Sequence, residues 1–350
     1  MQLADCLTLK AALIVGKDLV RLQDVPTPRI RPGELLVGMR ACGLCGTDLE
    51  KVHGDSITPP VLGHEVAGVI EQVGTGIDGL RVGDRVAVHH HISCGHCYLC
   101  KNGFETLCDD YPKSNLDPCG LAESFRVPEQ LVNGGTVHRL PDSMTFEEGS
   151  QAEPVACCIR GLNKMDAKFG STVAIFGMGP VGLSHLQLLK CFGASRVYAI
   201  DVIKKRREYA LKMGADLAFD PVTDDAPKAI SLLTGGIGVD SAVVATANLK
   251  ALEAAFDTVR KGGTVLQFGA PTRGSLFTLD MGKMFLREIR FQSSYSTSEV
   301  EMRMALDFIA SKRVRPSEIV TDRLPLFRTV EALALADRAA DAVKVIVENR

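Results

Sequence analysis

The chain has no tryptophan, and only 5% of its 350 residues are aromatic. It also lacks an excess of either charge, since 40 Lys and Arg stand against 42 Asp and Glu, giving a formal net charge of -2. Nucleic-acid binding requires a basic surface, so this balance argues against a nucleic-acid partner. No apolar run approaches the roughly 20 residues of a membrane-spanning helix, which argues against a membrane partner. Small molecules are the expected partners.

A secretory signal pattern is missing as well. The first 20 residues hold one apolar run of five residues, Ala11 to Val15, and a signal peptide needs roughly 7 to 15. The 11 cysteines are odd in number and several are clustered at metal-binding spacing. This usage suits a reducing compartment better than a secreted disulfide framework. We therefore expect a cytoplasmic protein.

The most specific pattern that is present consists of four cysteines. Cys94, Cys97, Cys100 and Cys108 have the spacing C-x2-C-x2-C-x7-C, which can close a tetrahedral thiolate cage around one zinc ion. The alternative interpretation is a patch of inert buried thiols. A four-thiolate cage has no open position for a substrate, so we predict a structural zinc here and a catalytic site elsewhere.

Two domains are expected from the length of the chain. Short strands separated by turn residues fill residues 1 to about 140, and we predict four of them: Glu34–Ala41, Val66–Val73, Arg85–Val88 and Ser124–Val127. Thr145 then opens a capping box that Glu148 completes.

From Thr172 onward, strands alternate with helices, which predicts an α/β domain with a doubly wound parallel sheet. The predicted strands are Thr172–Phe176, Arg196–Asp201, Asp216–Phe219, Ser241–Ala245 and Gly263–Phe268. The predicted helices lie near residues 181–192, 204–213, 226–233 and 249–260. After residue 290 the pattern loosens into helices near 299–311 and 328–339 and a last strand, Val343–Val347, a tail that we expect to pack back on the first domain.

A G-x-G-x-x-G turn separates the first strand of this array from its first helix. The string alone is weak evidence in a chain with 33 glycines, but the strand and helix around it favour a dinucleotide site. Its glycines would allow the tight turn, the approach of a pyrophosphate and close helix packing, with free N–H groups at the helix start. The turn consists of Gly177, Met178, Gly179, Pro180, Val181 and Gly182.

The next strand ends in Asp201, 24 residues after Gly177. A carboxylate there accepts hydrogen bonds from a ribose 2′-hydroxyl and repels a 2′-phosphate, which favours NAD over NADP. The basic run Lys204-Lys205-Arg206-Arg207 points the other way, because Arg206 and its neighbours could hold a 2′-phosphate. A solvated basic helix face is the commoner reason for such a run.

A second set of metal-ligand types lies in the first domain. Cys45 is followed by Gly46-Thr47-Asp48, and His64 and Glu65 lie within Gly63-His64-Glu65-Val66-Ala67-Gly68. These motifs, with Gly74-Thr75-Gly76 and the four-cysteine cluster after them, resemble the zinc-containing medium-chain dehydrogenase family over essentially the whole chain. The resemblance is strongest to polyol (sorbitol) and threonine dehydrogenases.

The resemblance implies a GroES-like catalytic domain (residues 1–152, with 291–350 packing back on it), a Rossmann NAD-binding domain (153–290) and two zinc ions per chain. By position, Cys45 and His64 resemble ligands of the catalytic zinc. Glu65 resembles a direct ligand or the partner of a metal-bound water, and Glu153, in a Glu-Pro pair, resembles the remaining zinc-site residue. Glu153 could also be a helix first-turn acid. Thr47 resembles the hydroxyl that relays the proton outward, or else a threonine that satisfies its own turn.

The outer proton acceptor is open, because a histidine that many relatives carry is replaced here by Glu50. Glu50, His53 or water could take the proton. His91 resembles a histidine of threonine dehydrogenases, but a structural role is favoured for it, and packing roles are favoured for Cys42, Cys157 and Cys158.

The predicted function is the reversible, NAD-dependent oxidation of a secondary alcohol of a polyol, cyclitol or sugar to a ketone, by a homodimer or homotetramer. The alternatives are an L-threonine 3-dehydrogenase, a simple alcohol dehydrogenase, or a zinc- and NAD-binding protein without catalysis that serves as a sensor or structural component.

Overall fold

The computed structural model describes residues 7–54, 60–165, 167–338 and 342–349. The chain divides into two compact units. The first consists of Met1–Glu153, Thr297–Ala310 and Pro316–Arg350, and the second of Pro154–Ser296 and Ser311–Arg315. No helix in the described part of the chain is long and apolar enough to cross a membrane.

The described strands are three to nine residues long. In chain order they are β1 (Thr8–Gly16), β2 (Leu19–Pro26), β3 (Leu35–Gly43), β4 (Glu65–Val73), β5 (Arg85–Val88), β6 (Ser124–Val127), β7 (Val137–Arg139), β8 (Thr172–Phe176), β9 (Arg196–Ile200), β10 (Leu217–Phe219), β11 (Val239–Val244), β12 (Val259–Gln267), β13 (Arg290–Ser293), β14 (Val320–Pro325) and β15 (Lys344–Glu348).

The described residues form twelve α-helices, and seven of them begin in the second half of the chain. They are α1 (Gly46–His53), α2 (Tyr98–Lys101), α3 (Glu129–Asn133), α4 (Phe146–Ser150), α5 (Ala152–Met165), α6 (Pro180–Cys191), α7 (Lys204–Lys212), α8 (Ala226–Leu233), α9 (Leu249–Thr258), α10 (Met281–Arg287), α11 (Glu299–Ala310) and α12 (Thr329–Arg338).

The first unit is built on a seven-stranded sheet in the order β14-β15-β3-β4-β5-β7, with β6 also paired to β3. The central strand β3 is buried along almost its whole length, because it has neighbours on both sides and a core of aliphatic side chains against it. The last strand, β15, runs antiparallel to β3 and pairs Ile346 with Gly43. The end of the chain therefore completes the sheet of the first unit.

The second unit contains a six-stranded sheet in the order β10-β9-β8-β11-β12-β13, and every pair in it is parallel. Numbered within the unit, this order is 3-2-1-4-5-6, the doubly wound arrangement of dinucleotide-binding domains. The predicted parallel-sheet fold is confirmed. The order reverses between β8 and β11, and the Gly-rich turn follows β8 at that point.

The predicted elements are present, and their ends differ from the prediction by at most four residues, the largest shift being the start of β12 at Val259 rather than Gly263. The capping box at α4 joins Thr145 and Glu148 through two hydrogen bonds of 3.0 and 3.1 Å. Residue 339, where we predicted the last helix to end, lies outside the described residues. Several elements were not predicted, namely β1, β2, β7, β13, β14, α5 and α10 among others. Because β13 is the sixth strand of the parallel sheet, residues 291–296 group with the second unit, whereas the predicted boundary lay at 290.

Candidate active site

The four cysteines of the predicted structural site come together. Their sulfur atoms lie within 4.8 Å of one another, and Cys94 and Cys97 are 3.9 and 3.4 Å from Cys100, sulfur to sulfur. Four thiolates at about 2.3 Å from one zinc would be about 3.8 Å apart. Backbone N–H groups of the same loop also donate to these sulfurs, as that of Cys97 does to Cys94 over 3.3 Å. The geometry fits a closed zinc cage.

The second group of metal-ligand types is assembled by neighbouring strands. Cys45 follows the end of β3, and His64 and Glu65 stand at the start of β4. The two strands are antiparallel and pair Gly43 with Glu65, so the end of one meets the start of the other. Ligand atoms of Cys45, His64 and Glu65 lie within 4.8 Å of one another. Thiolate, imidazole and carboxylate are a donor set that suits zinc and leaves a fourth position open.

Asp48 connects the two loops that carry this group. One of its carboxylate oxygens accepts the N–H of Cys45 over 3.1 Å, and the other accepts the N–H of Gly63 over 2.9 Å. The latter oxygen is also 3.4 Å from Nδ1 of His64. Burial by itself would raise the pKa of Asp48, but the adjacent His64 and these hydrogen bonds lower it to about 2. A carboxylate behind a ligand histidine orients the ring and leaves its other nitrogen for the metal.

The carboxylate of Glu65 forms an ion pair with a lysine. Lys344, the first residue of β15, donates to Oε2 of Glu65 over 2.5 Å and to the carbonyl oxygen of Leu44 over 3.0 Å. Both charged side chains are buried. Burial alone would lower the pKa of Lys344, but the Glu65 carboxylate reverses this and holds it above its ordinary value. A Cβ at Gly43 would stand 1.9 Å from Oε2 of Glu65, so glycine leaves the room that this carboxylate occupies.

Glu153 lies in the first turn of α5 and belongs to a neighbouring group. Its carboxylate and ligand nitrogens of His89 and His90 lie within 4.8 Å of one another, and all three residues are buried. Glu153 also acts electrostatically on Glu65, and the rings of His90 and His64 are 5.0 Å apart. The two groups therefore adjoin. The histidines follow β5, which pairs with β4 beside Glu65.

The predicted proton-relay residues divide into two sets. Thr47 lies in the first turn of α1, and its hydroxyl oxygen is 3.8 Å from the Cys45 sulfur. Glu50 follows one turn later and is half-buried. His53, at the end of α1, is half-buried, and its two ring nitrogens are 2.6 and 3.3 Å from carboxylate oxygens of Asp18 and Asp337. His53 is thus engaged away from the metal-ligand group, and we do not retain it as a proton acceptor.

The predicted dinucleotide turn joins β8 to α6. Gly177 has φ +95°, a conformation that favours glycine. A Cβ on Gly182 would stand 1.9 Å from the carbonyl oxygen of Gly177, so only glycine allows the helix to start this close to the strand. Pro180 occupies the first helical position, where no N–H is needed. The N–H groups of Val181 and Gly182 then open the helix without intrahelical partners.

Asp201 follows β9 and holds this turn in place. Its Oδ2 accepts the N–H of Met178 over 2.6 Å, and its Oδ1 accepts the N–H of Ile203 over 2.7 Å. Arg206 approaches the same carboxylate at 3.9 Å and lies 3.7 Å from the position of a Cβ on Gly179. Asp201, which favours NAD, and Arg206, which could hold the 2′-phosphate of NADP, are therefore neighbours.

Sequence reasoning missed five residues of these groups. Asp48 stands in the motif that follows Cys45, and His90 directly precedes His91, but the sequence alone assigned a role to neither. Lys344 is distant in sequence. His89 is held by Glu299, whose carboxylate lies 2.5 Å from Nδ1 of His89. A search for buried polar residues at the ends of adjacent strands would have found Asp48, His89 and His90. No local pattern marks Lys344 or Glu299, since each comes from the tail of the chain.

Comparison with known proteins agrees with this geometry. Residues 31–142 match the family described as alcohol dehydrogenase GroES-like domain, and residues 180–311 match zinc-binding dehydrogenase. The sorbitol dehydrogenase of Bacillus subtilis (strain 168) is 32% identical over 94% of this chain and 93% of its own. An alcohol dehydrogenase of Geobacillus stearothermophilus is 34% identical over 88% of this chain and 90% of its own.

Among solved structures, a Sinorhizobium meliloti 1021 protein of the zinc-binding dehydrogenase type, bound to NADP, superposes with a TM-score of 0.89 at 30% identity and covers 98% of this chain and 99% of its own. The family matches include both metal-ligand groups and most of the second unit. The chain therefore belongs to the zinc-containing medium-chain dehydrogenases and is an oxidoreductase that acts on CH–OH donors.

Proposed function

We propose that the protein is a zinc-dependent, NAD(H)-linked dehydrogenase that reversibly oxidises a secondary alcohol of a polyol, cyclitol or sugar to a ketone. The observation that carries the proposal is the open group of Cys45, His64 and Glu65, whose ligand atoms lie within 4.8 Å of one another, with a second carboxylate, Glu153, beside it. We propose that the first unit, as the GroES-like domain, supplies this group and that the second unit, as the Rossmann domain, binds the cofactor.

Cys45, His64 and one or both of Glu65 and Glu153 would hold the catalytic metal. Zinc bound there would act as a Lewis acid that lowers the pKa of an alcohol O–H group. Asp48 orients the His64 ring, and Lys344 compensates the charge of Glu65. The Thr47 hydroxyl, whose oxygen is 3.8 Å from the Cys45 sulfur, can take up the alcohol proton and pass it outward, with Glu50 next on the same helix.

The substrate class follows from the carboxylates and from the relatives. A carboxylate is a harder ligand than a thiolate and suits a substrate with vicinal oxygens. Relatives that match nearly the whole chain are named sorbitol dehydrogenase and D-xylulose reductase. His91, which would favour threonine, is buried with Nδ1 2.7 Å from the carbonyl oxygen of Ser114, a structural contact.

A substrate panel tests the proposal. NADH formation is measured by absorbance with polyols, cyclitols, sugars, simple alcohols and L-threonine at equal concentration. We expect the highest kcat/KM for a polyol, cyclitol or sugar. Preference for threonine or for a simple alcohol would replace the proposed substrate class. Turnover of none of them, by protein that binds both zinc and NADH, would favour a non-catalytic role.

We propose two zinc ions per chain, one in the four-cysteine cage and one at Cys45 and His64. Metal analysis of the purified protein should give two equivalents, and one equivalent would contradict the two-site assignment. NAD is the proposed cofactor because Asp201 presents a carboxylate at the end of β9. The NADP in the related Sinorhizobium meliloti structure makes the direct comparison of NAD with NADP necessary.

We propose a cytoplasmic homodimer or homotetramer. The cysteine sites need a reducing compartment. Among the described strands, β13 is at the edge of the sheet of the second unit. The segment that precedes it in the sequence carries exposed apolar side chains, among them Leu276, Phe285 and Leu286. Light scattering should show an oligomer. Phe285→Asp should weaken it, whereas Val222→Asp, at an exposed apolar residue elsewhere in the unit, should not.

A further inference from the structure

Three consecutive histidines follow β5, and all three are buried. Two of them have protein partners that explain their position. His89 has Glu299 at 2.5 Å from Nδ1 and the Tyr111 hydroxyl at 3.3 Å from Nε2. His91 has the carbonyl oxygen of Ser114 at 2.7 Å from Nδ1. The middle residue, His90, needs another explanation.

His90 carries a polar atom that the described protein leaves unsatisfied. Its Nδ1 is buried and has no hydrogen-bond partner among the described residues, and the whole residue is only 6% exposed. A buried nitrogen without a partner is destabilising, because it has lost its hydrogen bond to water and gained none in the protein. A ligand bound at this nitrogen would satisfy it.

The surroundings of His90 suit a metal ion as this ligand. The His90 and His64 ring centroids are 5.0 Å apart. Two imidazoles that share a tetrahedral zinc, with each Zn–N bond about 2.0–2.1 Å long, place their ring centroids about 5.2 Å apart. The carboxylate of Glu153 also lies within 4.8 Å of a ring nitrogen of His90. His89 also lies in that group, but both of its nitrogens already have protein partners.

We propose that His90 is a further ligand of the catalytic metal, beside Cys45 and His64, and that it occupies the open position of the site at rest. This inference rests on the proposed function in requiring a metal at Cys45 and His64. Glu65 is compensated by Lys344, whereas His90 has an unsatisfied nitrogen. A neutral imidazole can also leave the metal without creating a buried charge, which suits a ligand that yields to a substrate oxygen.

The test uses the full-length protein with cobalt(II) in place of zinc, because the visible spectrum of cobalt(II) reports its ligands. In His90→Gln, we expect a changed d–d spectrum of the catalytic metal and about 10-fold or greater loss of cobalt affinity, measured by chelator competition. His91→Gln is the matched control. It alters an equally buried histidine of the same segment whose Nδ1 contacts Ser114, and it should leave both quantities within about twofold.

A second variant separates ligation from packing. His90→Cys replaces the imidazole by another metal ligand, and we expect a new thiolate-to-cobalt charge-transfer band with much of the affinity restored. A histidine that only fills space would produce no such band. Circular dichroism establishes that each variant is folded before its spectrum is compared.

The inference is overturned if folded His90→Gln keeps the wild-type spectrum and cobalt affinity, or if His90→Cys adds no band. Cys45→Ser distinguishes this from failure of the proposed function. If Cys45→Ser loses the catalytic metal but His90→Gln has no effect, only the proposed role of His90 is refuted. If Cys45→Ser retains both metals and the wild-type spectrum, the proposed catalytic metal site itself is refuted.

Discussion

The two metal-ligand groups of the first unit differ in how the chain brings them together. The four cysteines lie within 15 consecutive residues, from Cys94 to Cys108, and their own loop and the short helix α2 bring them into place. The open group of Cys45, His64 and Glu65 lies at the end of β3 and the start of β4. The residues around it come from the segment after β5, the start of α5 and the start of β15. One group is local in sequence and the other depends on the whole sheet.

This difference explains their accessory residues. The cage has backbone N–H groups of its own loop directed at its sulfurs and needs no distant counterion in the described structure. The open group collects Asp48, Lys344 and His90 from separate elements, because it keeps charged groups buried beside a position that a substrate must enter. Buried charges require partners, and for Glu65 the partner comes from β15, a strand that is distant in sequence.

The largest effects are expected when one thiolate is removed from each metal-ligand group, which tests whether the two groups have different roles. Cys45→Ser should lower kcat/KM by at least about 10³-fold and remove one zinc per chain while the fold persists, because the open group has few ligands to spare. Cys97→Ser should also remove one zinc, but should act on stability, with a lower unfolding temperature and faster proteolysis around residues 94–108.

The control for both cysteine variants is Cys191→Ser, at an exposed cysteine of the second unit, which should leave metal content and activity unchanged. Metal analysis, initial rates and thermal unfolding are measured on all three proteins. Full activity in Cys45→Ser would contradict the catalytic assignment. An equal loss of turnover in folded Cys97→Ser would contradict the structural role of the cage.

The next-largest effect is expected on stability, when Lys344 of β15 is removed from its ion pair with Glu65. Lys344→Met should lower the free energy of unfolding by about 3–5 kcal/mol, because it leaves the Glu65 carboxylate buried without its cation. Lys344→Met combined with Glu65→Gln should recover most of this loss. Lys10→Met is the control, at a largely exposed lysine that pairs with Asp24 over 2.7 Å, and it should change stability by less than about 1 kcal/mol.

These three variants are compared by urea denaturation at one pH. If Lys344→Met is no more destabilising than Lys10→Met, the buried ion pair does not support the site as we describe it.

A smaller effect concerns the second unit, whose cofactor turn is again local in sequence. Asp201→Ala should shift the ratio of kcat/KM for NAD to that for NADP about 10-fold toward NADP, because the carboxylate that repels a 2′-phosphate is gone. Asp220→Ala, which removes the nearby partner of Arg207 at 3.0 Å, is the control. An unchanged cofactor ratio in Asp201→Ala would remove Asp201 as the ribose-binding residue.

The smallest expected effect is pH-dependent and lies outside both groups. A hydrogen bond with Asp18, and then one with Asp337, raises the pKa of His53 above its ordinary value of 6.5. A raised pKa stabilises the fold below pH 6.5, and this contribution disappears as the pH rises through the folded-state value. His53→Gln should therefore lose about 0.5 kcal/mol or less at acidic pH, and nothing at alkaline pH.

Thermal or urea unfolding across this pH range checks the sign. A larger loss at alkaline than at acidic pH would contradict it. Unchanged activity of His53→Gln would agree with the placement of His53 away from the metal ligands.

Much of the site was predictable because its motifs are short. Cys45, His64 and Glu65 stand in compact Gly-containing strings at strand ends, and Asp201 terminates a strand that its apolar residues make recognisable. His53 shows where such reasoning fails. Proximity in sequence to Cys45 suggested a proton acceptor, but α1 runs nearly two helical turns between them and carries His53 to Asp18 and Asp337. Strand β13 escaped prediction because it is only four residues long and mostly exposed.

The sequence by itself determined the local features: the four-cysteine cage, the glycine turn after β8, the alternation of strands and helices, and the ligand types at Cys45 and His64. These depend on spacing, backbone conformation and residue chemistry within a few turns of chain. Only the tertiary structure decided that Lys344 compensates Glu65, that Glu299 holds His89, and that His90 lies beside His64 with an unsatisfied nitrogen. The physical reason is that a buried charge or polar atom takes its partner from whichever strand the sheet places next to it, and the pairing of β15 with β3 and of β5 with β4 is long-range.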